Sequence, residues 1–302
     1  MNDEAADASV KNASMSAVLN DLIALLALER IEENLFRGQS QDPGWGTVFG
    51  GQVLGQALSA AVQTVPADRR VHSLHAYFLR PGDVARPIVY DVDRIRDGRT
   101  FTTRRVIAIQ GGRAIFNLSC SFQIDEPGFE HHDAMPTAPA PETLPTEHER
   151  LRAVLAQVPR ALRDKLLAER AFEVRTADPL DDNLVQPAPR APERLMWMRA
   201  AGALPDDPAL HAYLLAYVSD YSFMTTALAP HGTSWLSPTL QLASIDHVMW
   251  FHRPFRCDEW LLHVINSPAA QGARGLVRGA VFTRDGRLVA STAQEGLIRP
   301  RA

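Results

Sequence analysis

At 302 residues, with 46% hydrophobic and 22% charged side chains, the chain is long enough for two ordinary globular domains. Its 31 Lys and Arg against 35 Asp and Glu leave a formal charge of -4, which excludes the cationic field that nucleic-acid binding requires. Two cysteines, Cys120 and Cys257, are too few for a disulfide framework and lack metal-ligand spacing, so a reducing, cytoplasmic setting is expected.

In chain order, residues 1–18 are rich in Ala, Ser, Asn and Asp and carry too little apolar surface to offset the entropy of ordering, so a mobile tail is expected. They lack a basic-then-apolar leader pattern. No later apolar run approaches the roughly 20 residues that span a bilayer, so no stable membrane insertion is expected. A first domain is read over residues 19–125. Within it Val53, Leu54, Ala57, Leu58 and Ala61 recur at helical spacing, which predicts a helix from Phe49 to Val65. Strands are predicted over 71–79, 87–95, 101–110 and 114–124, with Gly98 and Gly111–Gly112 at hairpin turns. Residues 126–150 hold Pro127, Pro136, Pro139, Pro141 and Pro145 and predict an extended, exposed linker. The second domain, 151–302, predicts strands over 171–175 and 194–199, a helix over 210–228, and strands over 244–255, 259–266, 274–283 and 287–299.

The two halves share one order of elements, and short matches support a repeat. Phe78–Pro81 resembles Phe251–Pro254, and Gly112–Ile115 resembles Gly286–Val289, at offsets that agree to within one residue. The Arg-Asp-Gly-Arg turns at 96–99 and 284–287 fall out of this register and are read as recurring turn chemistry. A central helix wrapped by an antiparallel sheet, present twice, is an α+β fold of tandem (double) hotdog type, whose two sheets are expected to join edge to edge.

Three polar residues of the second half stand among apolar neighbours. Asp220 lies beside the apolar face formed by Leu214, Tyr217, Val218, Tyr221, Met224 and Leu228, where a carboxylate is costly unless partnered. It is either a rim aspartate or a buried general base. Ser244 opens a strand on which Asp246, Val248, Trp250 and His252 share its face, and it could equally bond a turn backbone. Gln294 follows Leu288, Ala290 and Thr292 on one strand face and needs partners for both ends of its amide. The repeat sets Val71 opposite Ser244 and Cys120 opposite Gln294, and no Asp or Glu occurs from Phe49 to Val65. Only the second half can hold this polar set.

Five stretches carry a family likeness: Leu35–Ser40, Val48–Val53, His75–Asp83, Ile245–Phe255 and Val289–Gly296. Together they resemble the acyl-CoA thioesterase II family, with bacterial and peroxisomal members and a double hotdog fold, over about residues 19 to 300. The resemblance implies hydrolysis of fatty acyl-CoA to free fatty acid and CoA, without cofactor or metal, by a chain that forms homo-oligomers. It also implies that Asp220, Ser244 and Gln294 are the catalytic residues; where some members carry Thr, Ser244 keeps the hydroxyl and loses a stiffening methyl. On this reading Asp220 deprotonates a water that Ser244 and Gln294 orient toward the thioester carbonyl, with a backbone N–H at the start of a central helix facing the oxyanion.

Arg80 and Arg253, each before a proline at a repeated strand end, are candidates for CoA phosphates, although most surface arginines are simply solvated. His247 and His252 sit on opposite strand faces and cannot share a metal, and His131–His132 lack a third ligand. No Gly-x-Ser-x-Gly elbow or phosphate loop is present, and Gly50, Gly51 and Gly55 are read as allowing the helix to approach its sheet. Two alternatives are kept behind hydrolysis: an enoyl-CoA hydratase, whose His–Asp spacing Leu210-His211 with Asp220 does not match well, and a non-catalytic acyl-CoA sensor, against which the retained polar triplet argues.

Overall fold

The computed structural model describes residues 15–178 and 187–301. Most of the expected tail therefore lies outside the described residues. Its last residues do not belong to a tail: Ser16 caps helix α1 (Ala17–Leu26), its Oγ accepting the Leu19 N–H at 3.2 Å. Leu19, Leu22 and Leu26 of α1 pack into the core.

In the first half, strands β1 (Glu29–Glu32) and β2 (Leu35–Gly38) precede helix α2 (Gly50–Val62). Four long strands follow, β3 (Arg69–Phe78), β4 (Ile88–Asp97), β5 (Phe101–Gln110) and β6 (Arg113–Ile124), within two residues of the predicted bounds. In the second half come short helices α3 (Glu147–Val154) and α4 (Arg160–Leu166), then β7 (Phe172–Thr176), β8 (Glu193–Ala200), α5 (Pro208–Ser219), α6 (Thr225–Leu228), β9 (Leu240–Ser244), β10 (Asp246–Phe251), β11 (Leu261–Gln271), β12 (Arg274–Thr283) and β13 (Leu288–Pro300).

All described pairings are antiparallel, in the order β1-β2-β4-β5-β6-β3-β10-β13-β12-β11-β8-β7, with β9 also beside β13. The seam between halves is β3 against β10, where Asp246 faces Tyr77 and Trp250 faces Ser73. The expected edge-to-edge junction is thus present, and it satisfies the two strand edges that each half alone would expose. Together the halves form the tandem hotdog arrangement.

Helix α2 is buried on every side from Gly51 to Ala61, as befits a helix enclosed by a sheet and a partner helix. That partner is α5, which starts on Pro208 behind an Asp207 cap and buries Leu214, Leu215 and Val218. A Cβ on Gly51 would lie 2.2 Å from the Tyr217 carbonyl oxygen, and one on Gly55 3.2 Å from that of Tyr213. The two helices therefore run antiparallel at glycine-limited distance, and these glycines serve the helix pair rather than the helix-to-sheet contact expected from sequence.

One continuous core spans both halves, from Phe36, Leu54 and Phe122 to Met198, Leu214 and Val281. The linker differs from its expected character. Residues 127–133 are exposed, but Met135, Ala138 and Leu144 pack over Trp197, Trp260, Leu262 and Phe282, and the Trp197 indole N–H donates to the Pro139 carbonyl at 2.9 Å. An indole on the outer face of a sheet needs a cover and an acceptor, and the proline-rich segment supplies both.

Candidate active site

The helix predicted over 210–228 breaks at the site. α5 ends on Asp220 as its C-cap, and Ser222 follows with φ 55°, the left-handed region that turns the chain away before α6. The Asp220 side chain lies at the junction of the halves. A Cβ on Gly50 would come within 2.8 Å of its Oδ2, and the Gly51 backbone N–H and the Gln294 amide stabilise the charged form of the carboxylate. The Gly51 N–H belongs to the first turn of α2, whose unsatisfied donors and dipole favour an anion. Burial nevertheless dominates and pushes the Asp220 carboxyl up to about 7, against the two hydrogen bonds that pull it down.

Gln294, 1% exposed, comes from the inner face of β13 and is the hub of the site. Its Nε2 donates to Ser244 Oγ at 2.7 Å, and its Oε1 meets His247 Nδ1 at 2.6 Å. Strict alternation from Asp246 would have sent Ser244 to the outer face. Instead the strand predicted over 244–255 breaks at Ile245, whose N–H donates to the Glu295 carbonyl and whose carbonyl accepts the Phe78 N–H, each at 2.9 Å. Asp246 Oδ1 accepts the Glu295 N–H at 2.6 Å and holds the break in register, so Ser244 turns to Gln294. The structure therefore brings Asp220, Ser244 and Gln294 together through a single amide.

Sequence reasoning missed His247, Ser219 and the Gly51 N–H. His247 is fully buried between Gln294 and Ser219, whose Oγ lies 3.0 Å from His247 Nε2. Burial lowers the imidazole to about 4. The signal was present: His247 alternates with Ile245, Met249 and Phe251 on one strand as Gln294 alternates with Leu288, Ala290 and Thr292 on another, and neighbouring strands can pair such polar residues.

Asp220 faces a cavity of about 900 Å³. Val18, Leu22, Phe49, Leu166, Tyr217 and Leu242 give it apolar walls, and Lys165, Arg170 and Arg301 add cations. Trp45 and Trp235, one from each half, meet edge to face at 4.9 Å on its wall, with Lys165 Nζ 5.3 Å from the Trp45 ring centre. Arg80 and Arg253 are not brought to this cavity. Arg80 donates to the Ala114 carbonyl at 2.6 Å and Arg253 to that of Leu288 at 3.1 Å, and neither lines the cavity. His211 sits at the opposite end of α5 from Asp220, its Nδ1 accepting the Cys257 N–H at 3.1 Å, so the His–Asp pair of a hydratase is not formed.

Two models of one family match the two halves. The model described as acyl-CoA thioesterase N-terminal domain matches residues 41–123, and the one described as acyl-CoA thioesterase matches residues 167–297. A protein named acyl-CoA thioesterase 2 from Haemophilus influenzae is 48% identical over 288 residues, covering 94% of this chain and 99% of that relative. The chain belongs to the acyl-CoA thioesterase family. A crystal structure of acyl-CoA thioesterase II TesB2 from Mycobacterium marinum is 42% identical and superposes with a TM-score of 0.76, covering 93% of this chain and 98% of that one. A hot dog fold protein from Alicyclobacillus acidocaldarius, 20% identical with a TM-score of 0.72 over 93% of this chain and 99% of its own, agrees with the fold alone.

Proposed function

We propose that this thioesterase hydrolyses fatty acyl-CoA to free fatty acid and CoA by direct attack of water, with Asp220 as general base and Ser244 and Gln294 orienting the nucleophile. The observation that carries this reading is the buried Asp220 carboxyl at the edge of the cavity beside the Gln294–Ser244 pair, where burial raises it to about 7. A base of that strength takes a proton from water far more readily than an ordinary aspartate does, and a thioester carbonyl is electrophilic enough to need no covalent intermediate. Ser244 Oγ limits the orientations of the water directly and the Gln294 amide does so by fixing Ser244 and Asp220 around it, while the positive first turn of α2 faces the developing oxyanion.

Because the base works ionised, kcat/KM should fall as the pH drops through about 7, by roughly tenfold per unit below it. Free thiol should appear without a pre-steady-state burst. A flat profile between pH 5 and 8, or a stoichiometric burst, would remove Asp220 from this role.

The nucleotide end of CoA carries several negative charges, and the cavity supplies its own cations. We place the phosphates at Lys165 and Arg170 rather than at Arg80 or Arg253, which lie outside it. Lys165→Ala should raise KM several-fold at low salt and flatten its salt dependence, since each lost contact weakens a screened attraction. Arg253→Ala should leave that dependence as it is, and the opposite pattern would restore Arg253 to the phosphate site.

The outer face of the seam exposes Tyr77 (54%) and Trp250 (38%), Trp250 meeting His75 at 5.5 Å between ring centres, and no described helix is long and apolar enough to cross a membrane. Exposed aromatics grouped on a sheet face favour association, and we propose a homo-oligomer through this face working in the cytoplasm on lipid metabolites. Sedimentation should show a species larger than one chain that Trp250→Glu dissociates; a monomer at micromolar concentration would exclude the assembly.

A further inference from the structure

Gln294 has a buried amide whose oxygen and nitrogen are nearly the same size, so packing alone does not decide which points where. The neighbours decide. Ser244 Oγ and the Asp220 carboxylate lie on one side, and His247 Nδ1 on the other. With the amide hydrogens toward Asp220, both are used: one on the carboxylate, one on the serine. Turned over, the amide would set its oxygen against an ionised carboxylate, losing a charge-assisted hydrogen bond and adding repulsion.

We propose that His247, held by Ser219, is the positioning residue that locks the Gln294 amide with its hydrogens toward Asp220 and Ser244. This rests on the water-activation reading of the same site. The buried imidazole is neutral and carries one hydrogen. The Phe223 ring lies beside it and beside His263, with centroids 5.8 and 5.3 Å away, and no carboxylate among the described residues contacts it, so burial outweighs the Gln294 hydrogen bond that favours a second proton. With the hydrogen on Nδ1, the imidazole donates to Gln294 Oε1, and Nε2 becomes an acceptor. Ser219 Oγ, 3.0 Å from Nε2, supplies that donor by turning its single hydrogen to the ring from the Ala216 carbonyl, to which it otherwise donates at 2.9 Å. Ser219 immediately precedes Asp220, so the chain of hydrogen bonds returns to the helix end that carries the base. A ring of four side chains, Asp220, Gln294, His247 and Ser219, is closed by one peptide bond. In this orientation the amide gives Asp220 and Ser244 one hydrogen each and His247 Nδ1–H an acceptor.

His247→Asn retains an N–H near the position of Nδ1, whereas His247→Leu removes it and leaves the amide free to invert. Steady-state kinetics on an acyl-CoA should show His247→Leu losing about 10² in kcat with KM unchanged, and His247→Asn staying within about tenfold of wild type. In a Gln294→Ala background, His247→Leu should cost little more. On the unmodified protein, long-range nitrogen–proton correlation spectra should place the His247 hydrogen on Nδ1. Equal losses in the Asn and Leu variants, full additivity with Gln294→Ala, or a hydrogen on Nε2 would each overturn the proposal. Should either variant fail to fold, the spectra of the wild type still decide. Normal turnover by an Asp220→Asn protein would defeat the water-activation reading instead, and would leave the nitrogen spectra unaffected.

Discussion

Asp220→Asn should lower kcat by about 10²–10⁴ on a medium- or long-chain acyl-CoA while the fold persists, because an amide fills the same volume but cannot accept the proton of the attacking water. The same variant carries a second, independent signature in its stability. The folded protein holds the Asp220 proton up to about pH 7, while an unfolded chain releases it near 4. Between those values the unfolded state binds fewer protons, so wild-type stability declines as pH rises and the full penalty applies above 7. The asparagine variant escapes it. It should be more stable than wild type at pH 8, by up to about 4 kcal/mol, with the difference fading toward pH 4. Near-normal turnover would end the catalytic role, and a stability difference independent of pH would mean the carboxyl is not held protonated.

Gly51→Ala should be the most damaging small substitution in the molecule. Its Cβ would lie 2.2 Å from the Tyr217 carbonyl oxygen, a backbone atom inside a buried helix that no rotamer change can move. The helices α2 and α5 must separate, which costs at least about 2–3 kcal/mol by the usual scale of overpacking. For a chain of this length that corresponds to a fall in Tm of roughly 5–10 °C. Activity should fall further than stability does, because the displaced Gly51 N–H is one of the two groups that hold the Asp220 carboxylate. Gly128→Ala, where a Cβ meets nothing within 4 Å, should change neither by a measurable amount. Calorimetry and steady-state kinetics on the pair check both statements; a fully active and stable Gly51→Ala protein would mean the helices are further apart than described.

The long strands were legible because hydrophobic alternation is a period-two signal that the hotdog sheet keeps over ten residues in β5 and over the first half of β12. Short and exposed elements were not. β1 is exposed at all four positions and has no alternation to read, while α1 carried a Leu19, Leu22, Leu26 stripe that was passed over beside a polar segment. The single helix drawn through Asp220 failed for a different reason. No glycine or proline marks the break, and Ser222 adopts its left-handed turn under tertiary constraint rather than by its own preference. For the site, Asp220, Ser244 and Gln294 were found as misplaced polar residues and through a family likeness. Their convergence depended on the β9–β10 break, and the Gly51 N–H carried no side chain to announce it. A donor contributed by backbone across a helix pair is invisible to any reading of residue types.

The antiparallel helix pair also fixes a stoichiometry. Two like repeats related by a pseudo-twofold axis offer two equivalent helix-end junctions, one where α5 finishes and one where α2 finishes. α5 finishes on Asp220; α2 finishes on Gln63, with Val71 and Cys120 where the serine and glutamine would stand. One junction holds the acid, hydroxyl and amide together, while the other lacks that trio and instead sets Thr64 against the buried Arg104. On the proposed chemistry each polypeptide has one reaction centre, and the silent repeat contributes to it a single peptide N–H.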